Sequence, residues 1–238
     1  MEKYGLIGYP LRHSFSIGYF NEKFKSEGIN AEYVNFEIPQ INDFMEVIEE
    51  NPNLRGLNVT IPYKEQVIPF LNELDPDTAK IGAVNVIKII RQQKGKVKLI
   101  GYNSDIIGFT QSIQPLLQAH HKKALILGTG GASKAVIAVL EDMGAAEIHT
   151  IYYKIAEDSI SYETCYALHT DAQVIVNTTP VGMYPNSGHT PIDLTPFTKL
   201  EAVADVVYNP LRTRLVLDAE EKGCQAIGGL EMLVGQAK

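Results

Sequence analysis

The chain has 238 residues, 45% of them hydrophobic and 21% charged, with a formal net charge of −7 and a pI near 5.4. This composition excludes a disordered chain; the acidic balance excludes a general nucleic-acid binder, which needs a basic stripe to neutralise phosphates. No apolar run approaches the roughly 20 residues of a membrane span, so neither nucleic acid nor membrane is an expected partner.

Strand-like and helix-like segments alternate throughout, which predicts an α/β protein. In the first half, strands are expected at Tyr4–Gly8 and Ala31–Ile38, with a helix after Ser16 between them. A helical apolar period at Ile41, Phe44, Met45 and Ile48 predicts a helix over Ile41–Glu49, followed by a strand at Gly56–Thr60. Val84–Ile90 and Val97–Ile100 flank the polar turn Arg91–Gly95 and read as a hairpin in a mixed sheet. Beyond Tyr102 come a helix from Asp105, a buried strand Ala124–Leu127, a helix over 131–143 and strands over 147–153, 173–176 and 203–207. A helix over 212–222 and a final helix from Gly229 complete the chain. The expected organisation is two domains: residues 1–102, a mixed-sheet substrate and catalytic domain, and 103–238, a Rossmann-like dinucleotide-binding domain. The final helix is expected to pack back toward the first.

Gly128-Thr129-Gly130-Gly131-Ala132 lies directly after an apolar strand and directly before a helix. Glycines at that junction let a pyrophosphate approach the backbone, where helix N-terminal amides hold negative charge. The bland alternative is an ordinary tight turn; three glycines in four positions favour the cofactor. The following strand ends in Tyr152-Tyr153-Lys154 without the acid that would bind the ribose hydroxyls of NAD. Lys154 faces either a 2′-phosphate or solvent, so NADP is favoured and NAD stays open.

Polar groups cluster at element ends in the first half. Ser14 and Ser16 stand one residue apart, where helix capping alone would explain them. Asn58 and Thr60 share one face of a strand that stops at Pro62, and Lys64 follows at a sheet edge, where open α/β folds place ligands. Asn85 and Asp105 sit at further element ends.

These stretches resemble, in order and over nearly the whole chain, the shikimate dehydrogenase family. Its Ser-x-Ser clamp matches Ser14-Phe15-Ser16, its Asn-Val-Thr-x-Pro-Phe-Lys segment matches Asn58–Lys64 with Tyr63 for phenylalanine, and its Gly-Ala-Val-Asn matches residues 82–85. Its Gly-x-Asn-Thr-Asp-x-x-Gly matches residues 101–108 with Ser104 for threonine, and its Gly-x-Gly-Gly-Ala turn matches Gly128–Ala132. Asn177–Met183, Tyr208-Asn209-Pro210 and Gly229–Gln236 match its remaining signatures.

The resemblance implies NADPH reduction of 3-dehydroshikimate to shikimate in the shikimate pathway to aromatic amino acids, with Lys64 and Asp105 as the catalytic pair. Ser14, Ser16, Asn58, Thr60, Asn85, Asp105, Tyr208 and Gln236 are then the substrate-binding residues. Gly128, Thr129, Gly130, Gly131 and Ala132 hold the pyrophosphate, Met183, Val206 and Gly229 border the nicotinamide, and Lys154 and Thr178 complete the cofactor set. A free lysine titrates near about 10.4, so Lys64 is expected to act as a charged donor in the reduction direction.

Two departures stand out. The family's Asn-Arg-Thr or Ser-Arg-Thr turn is replaced by Tyr152-Tyr153-Lys154, and the chain ends at Lys238, short of where most relatives continue the last helix. The rival readings are a relaxed quinate/shikimate dehydrogenase using NAD and a non-catalytic nucleotide-binding sensor or scaffold. The expected assembly is a monomer or homodimer. The opening residues lack the regions of a secretory signal, so the expected compartment is the cytoplasm.

Other residues have blander readings. No metal is expected: His120 and His121 read as a solvated turn and His13 as an exposed one. Tyr4, Tyr9, Tyr19 and Tyr33 read as packing, and Cys165 and Cys224 as core thiols.

Overall fold

The structure, a computed structural model, describes residues 1–11, 15–153 and 159–235. Of the expected site residues, Ser14, Lys154 and Gln236 lie outside the described residues, as does His13. The chain divides into two compact units, Met1–Asn103 and Ser104–Lys238.

The first unit comprises β1 (Glu2–Gly8), α1 (Phe15–Ser26), β2 (Ala31–Glu37), α2 (Phe44–Glu50), β3 (Leu54–Val59), β4 (Glu73–Leu74), α3 (Pro76–Ile81), β5 (Val86–Arg91) and β6 (Val97–Tyr102). Its sheet has the order β2-β1-β3-β5-β6-β4. β1 runs parallel to β2 and β3, while β5 is antiparallel to both β3 and β6, so the expected mixed sheet with its hairpin is present. Successive residues of β1 serve opposite faces, as the strand period of two requires. Ile7 joins Leu57, Val59, Ile87 and Leu99 beneath Phe44 and Ile48 of α2, whereas Leu6 joins Tyr33 beneath Phe20 and Phe24 of α1. Each such fully buried side chain contributes about 1.5–3 kcal/mol.

Helix α3 was not expected, although its signals are local. Asp75 accepts bonds from the Asp77 and Thr78 amides, Pro76 takes the first helical position, and Gly82 at φ 67° ends the helix in the left-handed region. The helical period at Ile41 also resolves differently, into a 3₁₀ turn over Ile41–Asp43 leading into α2.

The second unit comprises α4 (Asp105–Ile113), β7 (Lys123–Leu127), α5 (Gly131–Asp142), β8 (Glu147–Ile151), β9 (Ser159–Ile160), α6 (Tyr162–Leu168), β10 (Val174–Asn177), β11 (Ala202–Asp205), α7 (Arg214–Glu221), β12 (Gln225–Ile227) and α8 (Leu230–Gly235). The sheet is parallel throughout, in the order β12-β11-β10-β7-β8-β9. This is the doubly wound dinucleotide-binding arrangement, whose strand order reverses between β7 and β10; ligands of such sheets bind beyond the carboxyl ends of the strands there.

Both faces are covered, which explains the unbroken apolar runs of the central strands. Ala124, Ile126, Val174 and Val176 pack under Phe109, Ile113, Val136 and Met232, while Leu125, Leu127, Ile175 and Val203 pack under Cys165, Phe197 and Leu215. The last helix, α8, lies on α4; a methyl group at Gly235 would stand 2.9 Å from the Gly108 Cα.

Candidate active site

In the first unit, polar side chains gather at the carboxyl ends of β1 and β3. The pleat sends Leu57 and Val59 into the core and leaves Asn58 on the opposite face, half-buried. Thr60 follows directly, packed so closely over Gly8 that a Cβ there would meet its Cγ2 at 2.4 Å. Tyr63 anchors the next turn: its ring is buried and its hydroxyl donates to the Ile38 carbonyl at 2.6 Å, which holds half-buried Lys64 at the sheet edge. The Lys64 carbonyl accepts the Val84 amide at 2.7 Å, and the Asn85 carbonyl accepts the Val59 amide at 2.8 Å. Buried Asn103 donates to the Ala83 carbonyl at 2.8 Å and secures the 82–85 turn from the other side. The structure therefore brings Asn58, Thr60, Lys64 and Asn85 to one edge of the sheet.

Tyr33 also belongs to this group, and its reading as packing alone was incomplete. Its ring, 3% exposed, stacks on Phe20 with centroids 4.7 Å apart, while its hydroxyl donates to Asn58 Oδ1 at 2.7 Å. The Ser16 hydroxyl bonds the same phenol oxygen, and burial raises the phenol's pKa well above its usual value. Asn21 clamps the Tyr33 backbone with two bonds of 2.8 Å. Tyr33 thus ties together two residues from the expected substrate set. No sequence signal marked it, because the connection joins α1, β2 and β3.

In the second unit, the glycine turn stands at the switch point. Gly128 has φ +107°, and a Cβ there would lie 2.9 Å from Thr178 Oγ1, so both conformation and crowding require glycine. Thr178 follows β10 and donates through Oγ1 to the Leu127 carbonyl at 2.7 Å. Gly130 caps α5 in extended conformation, and no atom lies within 4 Å of where its Cβ would stand. The open backbone at Gly130, with the helix N-terminal amides of α5 behind it, fits a pyrophosphate. The same strand ends carry half-buried Val206 and, in the next turn, Gly229, where any Cβ would come within 2.1 Å of the Val206 carbonyl oxygen. Met183 is exposed, and Tyr208 is half-buried, with its phenol pKa raised by desolvation. Asp105 begins α4, buried to 2% exposure.

The strand preceding the expected phosphate-binding turn ends at Ile151 rather than at residue 153. Tyr152 and Tyr153 follow with ring centroids 4.5 Å apart, and Tyr153 is 70% exposed. No acid ends this strand.

Asn177, which heads one of the matched signatures, belongs to a further set of buried polar residues whose other members, Asp205 and Thr213, sequence reasoning did not mark. Asn177 and Asp205 end β10 and β11 as register partners, both inaccessible to solvent or nearly so. Asp205 Oδ1 accepts bonds from Asn177 Nδ2 and the Val207 amide, each 3.0 Å, and Oδ2 accepts from Thr213 Oγ1 at 2.6 Å. Desolvation raises the Asp205 pKa, while these three donors pull it back. The visible clue was an acid closing the apolar run Ala202-Val203-Ala204.

His120 stands exposed at a turn, as expected, but His121 departs from expectation. His121 is 7% exposed, and both rings direct Nε2 at one oxygen of Glu201, at 2.8 Å from His120 and 3.1 Å from His121. Because His121 Nδ1 accepts the Gln118 amide, its ring proton sits on Nε2, facing the carboxylate. Glu147, His149 and His169 form a second group with ligand atoms in mutual reach, but Lys123 already holds the same Glu147 oxygen at 3.1 Å. In both groups the carboxylate is already engaged, Glu201 by the two histidines and Glu147 by His149 and Lys123. Burial pushes the Cys165 thiol up to about 11, as befits an unreactive core thiol, and half-buried Cys224 donates to the Leu200 carbonyl.

Comparison with known proteins places this geometry in a family. Residues 6–87 match the family model for the shikimate dehydrogenase substrate binding domain. The chain is 36% identical to the shikimate dehydrogenase (NADP(+)) of Syntrophomonas wolfei, covering 99% of this chain and 86% of that protein. Shikimate dehydrogenase 1 from Peptoclostridium difficile superimposes with a TM-score of 0.86 at 35% identity, covering 100% of this chain and 89% of that one. The Thermus thermophilus shikimate 5-dehydrogenase, solved in complex with NADP(H) and shikimate, gives a TM-score of 0.79 at 29% identity, covering 99% and 90%. On full-length identity and on the ordered residues described above, the chain belongs to the shikimate dehydrogenase family.

Proposed function

We propose that the chain reduces 3-dehydroshikimate to shikimate with NADPH, with Lys64 and Asp105 as the catalytic pair. The observation that carries the reading is the set of neutral hydrogen-bonding side chains at the edge of the first sheet, Asn58, Thr60 and Asn85 beside one lysine, which Ser16 of α1 joins through the Tyr33 hydroxyl. A polyhydroxylated ring acid needs such partners, and a site built to bond hydroxyls rejects analogues that lack them.

The cofactor, when bound, supplies the hydride. The chain's own residues do the rest. Gly128–Ala132 present backbone amides to the pyrophosphate, and Thr178, Met183, Val206 and Gly229 shape the surface for the nicotinamide. The hydroxyls and amides of Ser14, Ser16, Asn58, Thr60, Asn85, Tyr208 and Gln236 orient the substrate ring. Lys64, as its ammonium, donates a proton to the carbonyl oxygen being reduced, and Asp105 accepts a hydrogen bond from a ring hydroxyl. That β8 and the Tyr152-Tyr153 step after it carry no acid at the strand end supports NADP over NAD, with Lys154 as the residue for the 2′-phosphate. No helix among the described residues is long and apolar enough to cross a membrane; we place the enzyme in the cytoplasm, as a monomer or homodimer.

The test is Lys64→Ala. Turnover is expected to fall at least tenfold, with shikimate binding little changed; a smaller loss would remove Lys64 from the proton transfer.

A further inference from the structure

The buried Asn177–Asp205–Thr213 group has no role in the proton or hydride steps, yet it lies under the residues assigned to the nicotinamide. Its bonding pattern is unambiguous. The Asp205 carboxylate can only accept, so it must face Asn177 Nδ2, and Asn177 Oδ1 is thereby turned outward to accept the Thr179 amide at 3.0 Å and Thr179 Oγ1 at 2.7 Å. Thr179 Oγ1 in turn accepts the Val181 amide at 3.2 Å, and Asn177 Nδ2 also reaches the Val181 carbonyl at 3.3 Å. The Thr178–Met183 loop therefore hangs from Asn177.

The other two bonds of Asp205 fix the opposite wall. The Val207 amide on Oδ1 sets the turn in which Val206 presents its carbonyl to Gly229, and the Val207 carbonyl accepts the Gly229 amide at 3.0 Å. Thr213 on Oδ2 braces the loop itself: Gly182, at φ +91°, packs against Thr213, with its missing Cβ 3.6 Å from the threonine Cβ. One carboxylate thus joins Met183, Val206 and Gly229, which otherwise come from three separate stretches of chain.

We propose that Asp205 is the positioning residue of the nicotinamide surface, holding the Thr178–Met183 loop and the Val206–Val207 turn in register through Asn177 and Thr213. The proposal rests on the reading of this unit as the NADP-binding one. A carboxylate is suited to the task because it accepts several donors at once from a fixed position, and bonds to a charged acceptor are stronger than neutral ones.

The experiment compares the full-length protein with Asp205→Asn, Thr213→Val, Thr213→Ser and Thr179→Val. NADPH affinity is read by nucleotide fluorescence, together with kcat, both KM values and the isotope effect with nicotinamide-deuterated NADPH. Thr213→Val also removes the N-cap of α7, so Ser161→Ala, which removes the N-cap of α6, serves as the control for cap loss alone. Thr213→Val and Asp205→Asn are expected to weaken NADPH binding about fivefold, lower kcat about tenfold and raise the isotope effect, with 3-dehydroshikimate KM changing less than twofold. Thr179→Val should move the same way by a smaller factor, Thr213→Ser should restore wild-type values, and Ser161→Ala should lower only the melting temperature. If Asp205→Asn does not fold, the Thr213 pair and Thr179→Val decide. Folded variants with unchanged NADPH affinity and isotope effect would overturn the proposal, as would losses that track melting temperature alone. A wild-type protein that binds NADPH but turns over no shikimate would refute the catalytic reading and leave the affinity test of Asp205 in force; one that does not bind NADPH would overturn both.

Discussion

Tyr33→Phe removes one oxygen atom from a fully buried side chain and leaves the packing in place. The Phe20 stack at 4.7 Å and the Asn21 clamps on the backbone survive the change, so no cavity opens. What is lost is the 2.7 Å bond to Asn58 Oδ1 and the bond from Ser16. A buried hydrogen bond contributes about 0.5–1.5 kcal/mol net, and an acceptor left without its donor costs about 1–3 kcal/mol. Asn58 is half-buried and water can reach it, so the stability loss should sit near the lower end, about 1 kcal/mol, or about 2–4 °C in melting temperature for a chain of this size. The larger effect should fall on substrate binding, because Asn58 loses its fixed amide orientation and Ser16 its fixed hydroxyl. A penalty of about 1–1.5 kcal/mol raises shikimate KM roughly fivefold to tenfold at 1.4 kcal/mol per decade. Steady-state kinetics with saturating NADP and a thermal melt measure both. A shikimate KM within twofold of wild type, with the melting temperature lowered as expected, would refute the link between Tyr33 and the substrate residues.

Other substitutions and conditions read different parts of the account. Gly229→Ala places a Cβ about an ångström inside normal contact with the Val206 carbonyl and should raise NADP KM at least tenfold, seen in initial rates at fixed shikimate. Acid should destabilise the second unit. Glu147, Asp171 and Glu201 have pKa values lowered chiefly by bonds from His149, Lys123 and His120 respectively, so their stabilisation is present above the unfolded carboxylate range and is lost as pH falls through the lowered folded values. Burial lowers the His169 pKa, which adds a loss of the same sign beginning below about pH 6.5, the ordinary imidazole value. Urea melts across that range should show stability declining toward acid, and Lys123→Met should flatten the carboxylate part of the decline; a flat profile in the wild type would contradict these assignments.

Much of this fold is legible in the sequence because its signals are local. The central strands of the second unit are short apolar runs, each bounded by a turn, and the Gly128–Ala132 junction identifies the strand-to-helix turn at the switch point without any tertiary information. The two-residue strands β4 and β9 carry too few residues for a period to register, and β12 has only three. Helix α6 was passed over despite its Ser161 N-cap, since seven residues give barely two turns of apolar pattern. The candidate site divides in the same way. Lys64, Asp105 and the asparagines lie in contiguous motifs, whereas Tyr33 and Asp205 act through partners 25 and 28 residues distant in sequence, and only pairing of the strands brings these together. His121 was misread because its burial depends on Glu201, from a strand-flanking position 80 residues away.

The most direct test of the account is the initial rate of the purified protein with shikimate or quinate and with NADP or NAD, in all four combinations, followed by nicotinamide absorbance. Turnover with shikimate and NADP that exceeds every other combination at least tenfold is the predicted result. Comparable rates with quinate or NAD would contradict the specificity of the hydroxyl-binding edge and of the β8 end, which carries no acid, and no turnover in any combination would contradict catalysis itself.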